Sequence, residues 1–209
     1  TDATLGSVLD FWFGAKDTAE YGQFREIWFR AATPEFDREI RDRFLSLHEQ
    51  AACGALDSAM ESAEGALALL ILLDQLPRNM FRGSARASAT DAKARVVAKP
   101  ATGGGFDQQV PPACRTFFYL PFEHSEDLAD QERGLALFRA LGEASGIEAA
   151  EEHLEVIARF GRFPHRNAVL GRESTPEEIE HLKNAKSWGQ GTPVQPLALL
   201  HAIGEMLPR

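Results

Sequence analysis

Residue types able to bind and move charge concentrate in three stretches of this chain. The densest is Arg159-Phe160-Gly161-Arg162-Phe163-Pro164-His165-Arg166-Asn167-Ala168-Val169-Leu170-Gly171-Arg172, four arginines and a histidine set among apolar residues. Pro77-Arg78-Asn79-Met80-Phe81-Arg82-Gly83 repeats its Arg-Asn-x-x-x-Gly core. The third stretch, Arg115 to Asp127, is aromatic and delivers Glu123, His124, Glu126 and Asp127. Guanidinium groups grip carboxylate or phosphate bidentately, and neighbouring aromatic rings strengthen the pairing by excluding water. Arg78, Asn79, Arg82, Arg115, Arg159, Arg162, Arg166 and Asn167 are therefore the candidate ligand-binding residues, for a small anion or a carboxylate-bearing peptide. His124 and His165 are the candidate acid–base groups, with Glu126 as proton-accepting partner and Glu123 or Asp127 as alternatives.

Each of these residues has a competing structural use. Pro164 removes a backbone N–H and ends or bends a helix, and an arginine or histidine beside a helix C-terminus satisfies the freed carbonyls. Asn79 and Asn167 can cap backbone, and Gly83 and Gly171 can take positive φ. Asp74 and Gln75 follow the most apolar run of the chain, so Asp74 needs a partner, and Arg78 at i+4 is in reach. His48, His181 and His201 read as surface or partly buried helix residues. No cofactor or metal is expected, because His-x-x-x-His, His-Glu-x-x-His and paired Glu-x-x-His spacings are missing. Gly103-Gly104-Gly105 lacks the Lys-Ser or Lys-Thr of a phosphate loop, and no nucleophile motif supports covalent catalysis.

Composition narrows the partners. A formal charge of −9 and a pI near 5.2 exclude a broad nucleic-acid-binding face. Cys53 and Cys114 are far apart without paired spacing, which fits structural thiols in a reducing cytoplasm. The aliphatic run Ala66 to Leu73 is too short to span a bilayer, and no leader pattern opens the chain, so a cytoplasmic protein without membrane contact is expected. The 209 residues need only one core. Residues 1–190 are read as one helical domain and 191–209 as a linker with a short helix.

Helical spacing of apolar residues runs along most of the chain, and strand alternation is missing, so the fold class is all-α with about eight or nine helices. Leu5, Val8, Leu9 and Trp12 mark a helix ended by Gly14, and Phe24, Ile27 and Trp28 mark another over 21–31. Thr33-Pro34-Glu35 starts a helix with Phe36, Ile40, Phe44, Leu47 and Ala51 on its buried stripe. Residues 62–76 form a central helix, apolar on all sides. A further helix starts near Thr90-Asp91 and weakens at Pro100. Ser125 is the expected N-cap of a helix reaching about Gly146, another runs from Ile147 to the arginine-rich stretch, and Thr175-Pro176-Glu177-Glu178 is a capping box opening a helix to about Lys186.

Asp-Gln-Leu-Pro-Arg-Asn at 74–79, Phe-Phe-Tyr-Leu-Pro-Phe-Glu-His-Ser-Glu-Asp at 117–127, Ala-Asp-Gln-Glu-Arg at 129–133 and Arg-Phe-Gly-Arg-Phe-Pro-His-Arg-Asn at 159–167 stand in one order. In these motifs the chain resembles the bacterial family of unknown function numbered nine-twenty-four, over about residues 5–190. The resemblance implies a single-domain tetratricopeptide-like array of helices and no established activity. Two functions follow as expectations. One is recognition of an anionic small molecule or carboxylate-bearing peptide in an Arg/His-lined pocket, with acid–base catalysis possible there. The other is a non-catalytic tetratricopeptide-like scaffold for protein interactions, carried by fold analogy.

Overall fold

The computed structural model describes residues 3–29 and 33–185, so the segment expected over 191–209 and His201 lie outside the described residues. The described residues are helical and contain no strand: α1 (Leu5–Phe13), α2 (Pro34–Ala52), α3 (Ala63–Leu70), α4 (Leu76–Met80), α5 (Asp91–Gly103), α6 (Pro112–Glu123), α7 (Leu128–Leu141), α8 (Ala144–Phe160) and α9 (Pro176–Leu182). A π turn, Ile71–Gln75, joins α3 to α4 as one rod. None of the described helices is long and apolar enough to cross a membrane.

The core is laid around that rod. Every residue from Ala66 to Pro77 is buried, and α1, α2, α5 and α6 pack against it. Ser62 caps α3 by accepting from the Gly65 N–H. Gly65 is required for space, because a Cβ there would stand 2.1 Å from the Ala59 carbonyl oxygen. The stripe of α2 is buried at Ile40, Phe44, Leu47 and Ala51, and Thr33 caps it with Pro34 in the first turn. His48 belongs to this stripe too: it is buried, with Nδ1 against the Leu72 carbonyl at 2.8 Å, not at the surface.

Several helix boundaries differ from the sequence expectation, among them the end of α9, which closes at Leu182 and not near Lys186. Between α1 and α2 only Glu26–Trp28 is helical, as a 3-10 turn, because Gly22 is left-handed (φ 78°) and Arg25 is extended. Arg25 and the Trp28 indole instead donate to the carbonyls of Phe11 and Trp12 that end α1. Pro100 does not end α5, which runs on to Gly103 with Pro100 in its last turns, four residues after the exposed Val96. Asp127, not Ser125, caps α7, and the buried Ser125 hydroxyl accepts from Asp127 N and donates to Asp130. Gly142 stops α7 at Leu141 in the left-handed region (φ 77°), and Glu143 opens α8 by accepting from Ser145 and Gly146. At the other end α8 stops at Phe160 with left-handed Gly161, and α9 begins on the Thr175/Glu178 capping box and closes at Leu182.

Candidate functional site

The site begins at the π turn. Closing Leu76 N–H on the Ile71 carbonyl inserts one extra residue into the rod, and such wide turns recur where function needs a side chain re-aimed. Here the turn carries Asp74, 1% exposed. Its carboxylate accepts from His124 Nδ1 at 2.9 and 3.0 Å and from Gln75 Nε2 at 2.6 Å, and Arg78 Nη1 lies 3.4 Å away. Burial alone would raise this carboxyl's pKa, but Arg78 and His124 overcome it and hold the group below the usual carboxylate range. The i+4 tie of Asp74 to Arg78 is thus present, with a histidine added.

The charges continue in alternation. Arg78 forks onto Asp91 of α5 with two bonds of 3.0 Å, and the same carboxylate lies 3.4 Å from Arg166 Nη1. His124, Asp74, Arg78, Asp91 and Arg166 therefore form one chain of groups drawn from the end of α6, the π turn, α4, α5 and the 3-10 turn Pro164–Arg166. Arg166 sits over the Phe163 ring, 4.6 Å from its centroid. Burial, with Arg78 nearby, pulls its guanidinium down to about 10, outweighing the support of Asp91, so it stays charged at neutral pH.

One imidazole, His124, ends this chain and a second, His165, adjoins Arg166 at the other end. Burial and the Arg78 charge lower the pKa of His124, and burial with Arg166 takes His165 down to about 3. Both are neutral at pH 7, and the proton His124 gives to Asp74 from Nδ1 leaves Nε2 as its basic atom. Behind them Glu123 is buried and pushed up to about 8 by desolvation and the Asp74 charge. Glu123 Oε2 has no hydrogen-bond partner, while His153 Nδ1 lies 3.5 Å from Oε1 and donates to the Ala149 carbonyl at 2.8 Å.

The turn bearing His165 and Arg166 is held from both sides. Glu126 accepts from Phe163 N at 2.8 Å and takes a bidentate pair from Arg172 at 2.7 and 2.9 Å. Glu178 takes a second bidentate pair from Arg162 at 2.7 and 2.8 Å, and also accepts from Thr175 N and Asn167. The Arg162 bonds draw the Glu178 carboxyl down to about 2. Gly171 completes the turn at φ 65°, as Gly83 does at φ 75° in the echoing segment.

A small open cleft of about 40 Å³ lies where the two segments meet, bordered by Arg78, Ser84, Ala87, Ser88, His165, Arg166 and Val169. Of the residues singled out in the sequence, Arg78, His165 and Arg166 line it, and His124 stands one link behind through Asp74. The others are engaged elsewhere. Asn79 and Arg82 bind Asp37 of α2, Arg115 binds Gln108 and the Val110 carbonyl, and Arg159 pairs with exposed Glu177. Arg162, Asn167 and Glu126 build the turn as described. Asp91, Arg172 and Glu178 are not among the candidate site residues read from the motifs, and Glu123 entered only as an alternative proton acceptor. Asp91 reads in sequence as a first-turn helix charge, and only the fold brings it to two arginines.

A second and roomier groove, about 190 Å³, runs along α8 and α9 past Val156, Phe160, Glu155 and His181. Among the described residues no three His, Cys, Asp or Glu side chains gather as a metal site.

No curated protein matches this chain. A solved structure of a protein of unknown function from Agrobacterium tumefaciens is 45% identical to it, covers 87% of this chain and 97% of its own, and superposes with a TM-score of 0.78. The family described as "Bacterial protein of unknown function (DUF924)" matches residues 8–186. With most of its length matched, from α1 through α9, the chain belongs to that family.

Proposed function

We propose that the protein binds an anionic small molecule, or the carboxylate of a peptide, in the cleft between Arg78, His165 and Arg166, with the Asp74–His124 pair behind Arg78 as its acid–base group. One observation carries the reading. Two guanidiniums share the single Asp91 carboxylate; Arg78 takes both oxygens and leaves Arg166 one long contact. None of the Arg166 nitrogens is both buried and unpaired, so its remaining N–H groups face the accessible side. A rigid guanidinium stacked on an aromatic ring and only partly neutralised is a prepared anion receptor.

His124 supports the catalytic half. A carboxylate on Nδ1 fixes the tautomer and orientation of an imidazole whose Nε2 then accepts a proton, the arrangement that general-base chemistry needs. The test is a thermal-shift screen of carboxylates, phosphates, nucleotides and metal ions against the native chain and Arg166→Gln. A ligand at about 100 times its Kd raises stability by about 2.7 kcal/mol. Anion-specific stabilisation that disappears in Arg166→Gln supports the cleft; stabilisation that is the same in both proteins removes it.

The non-catalytic scaffold is the competing reading, favoured by the groove on α8 and α9 with Val156 and Phe160 in its wall. Loss of ligand response in a Phe160→Ala variant, with Arg166→Gln unaffected, would move the site there.

A further inference from the structure

The charges around the cleft balance before any ligand arrives. Three guanidiniums, Arg78, Arg166 and Arg172, are met by three carboxylates, Asp74, Asp91 and Glu126. The imidazoles of His124, His153 and His165 are neutral at pH 7, and Glu123 keeps its proton through most of the neutral range. An incoming anion is therefore attracted to Arg166 locally and does not meet a large positive field. Each added negative charge also lies near Asp91 and Asp74. A dianionic phosphate carries a second charge that nothing in the cleft neutralises, and a polyphosphate carries more.

The lining agrees with the charge count. Ala87 and Val169 give the cleft an apolar wall, Val169 being 39% exposed, and Ser84 and Ser88 stand at the polar side. At about 40 Å³ and open to solvent, the cleft seats a charged headgroup and the first atoms of a short body. A planar carboxylate matches the Arg166 fork, and a short aliphatic body matches Val169 and Ala87.

We infer that the ligand of this cleft is a small monocarboxylate with a short apolar body, held by Arg166 at its carboxylate and by Val169 and Ala87 along its chain. This rests on the anion-cleft reading and narrows it to one chemical class. His165, beside Arg166, lines the cleft as a neutral imidazole. The groups acting on that ring are Arg166 of its own turn, Glu126 from the segment before α7, Arg78 from α4, His124 from the end of α6 and His153 from α8.

The experiment is a nitrogen-15 amide NMR titration of the full chain with three probes: butyrate, its neutral isostere butyramide, and inorganic phosphate. Butyrate is expected to shift the amides of Ser84, Ala87, Ser88 and Val169 and to bind at least about tenfold tighter than either other probe. Phosphate binding as tightly as butyrate at the same amides overturns the monocarboxylate class and leaves the anion cleft standing. Butyramide matching butyrate overturns the role of charge and the cleft reading with it. Failure of every probe to move these amides also overturns both.

Two variants guard the result. Arg166→Gln is expected to weaken butyrate at least about tenfold. Val169→Asp, on an exposed side chain that the fold does not bury, is expected to do the same by adding a charge at the apolar wall. Unchanged butyrate affinity in a folded Val169→Asp overturns the proposed orientation.

Discussion

At the scale of single residues, the protein spends much of its polar inventory on one buried line of charge. Asp74 is the member least able to stand alone, because it neutralises Arg78 and fixes His124 at once. Asp74→Asn is expected to destabilise the fold by roughly 3 kcal/mol, since it leaves the buried Arg78 and Arg166 to share the one carboxylate of Asp91. Chemical denaturation at pH 7 reads this directly, and a loss below 1 kcal/mol would mean that the line is slack.

Glu123 behaves oppositely. Its carboxyl prefers the proton in the folded state, at about 8 against 4.5 unfolded, so its contribution is fully present below pH 4.5 and is lost as pH rises through 8. Glu123→Gln is expected to flatten this decline and leave the protein on the order of 3 kcal/mol more stable than the native chain at pH 9. Equal pH dependence in both proteins would contradict the buried protonated state.

At the scale of elements, the turn Pro164–Arg166 is only as firm as its clamps. Glu178, from the first turn of α9, holds Arg162, Asn167 and Thr175 N together, and no atom of it reaches the cleft lining. Glu178→Ala is expected to raise hydrogen exchange across 162–172 by about tenfold or more while exchange in α2 stays as it was. An unaltered 162–172 segment would show that the Glu126–Arg172 side alone positions His165 and Arg166.

These elements also show how far sequence reasoning reaches. The Thr33-Pro34 and Thr175-Pro176 starts, the apolar rod and the turn at Pro164 are local signals, because capping and periodicity act over a few residues. The Asp74 to Arg78 tie was legible for the same reason, being i to i+4. Asp91 was not, since its two arginines lie 13 and 75 positions away. The π turn has no compositional mark, and Phe24 to Trp28 read as a helix because aromatic spacing says nothing of left-handed Gly22. The clusters at Arg82, Arg115 and Arg159 looked like binding groups and are ion pairs or carbonyl ties in the fold.

At the scale of the molecule, buried titratable groups of both kinds shape stability against pH. His153 and His165 are held near 3 against an unfolded 6.5, so what they contribute is present above 6.5 and lost as pH falls below it. Glu123 removes stability on the other side, between 4.5 and 8. Below 6.5 two histidines outweigh one glutamate, and above it only the glutamate acts. Stability is therefore expected to peak at about pH 6.5 to 7, and a melting profile that climbs steadily to pH 9 would contradict this.

A ligand in this cleft must meet Arg166. Nitrogen-15 NMR of the arginine side chains observes that guanidinium itself while a small carboxylate is added. The Arg166 Nε–H resonance is expected to shift with saturation while that of Arg159, paired on the surface with Glu177, stays fixed. An Arg166 signal unmoved at saturating carboxylate, or arginines all shifting alike, would contradict the site.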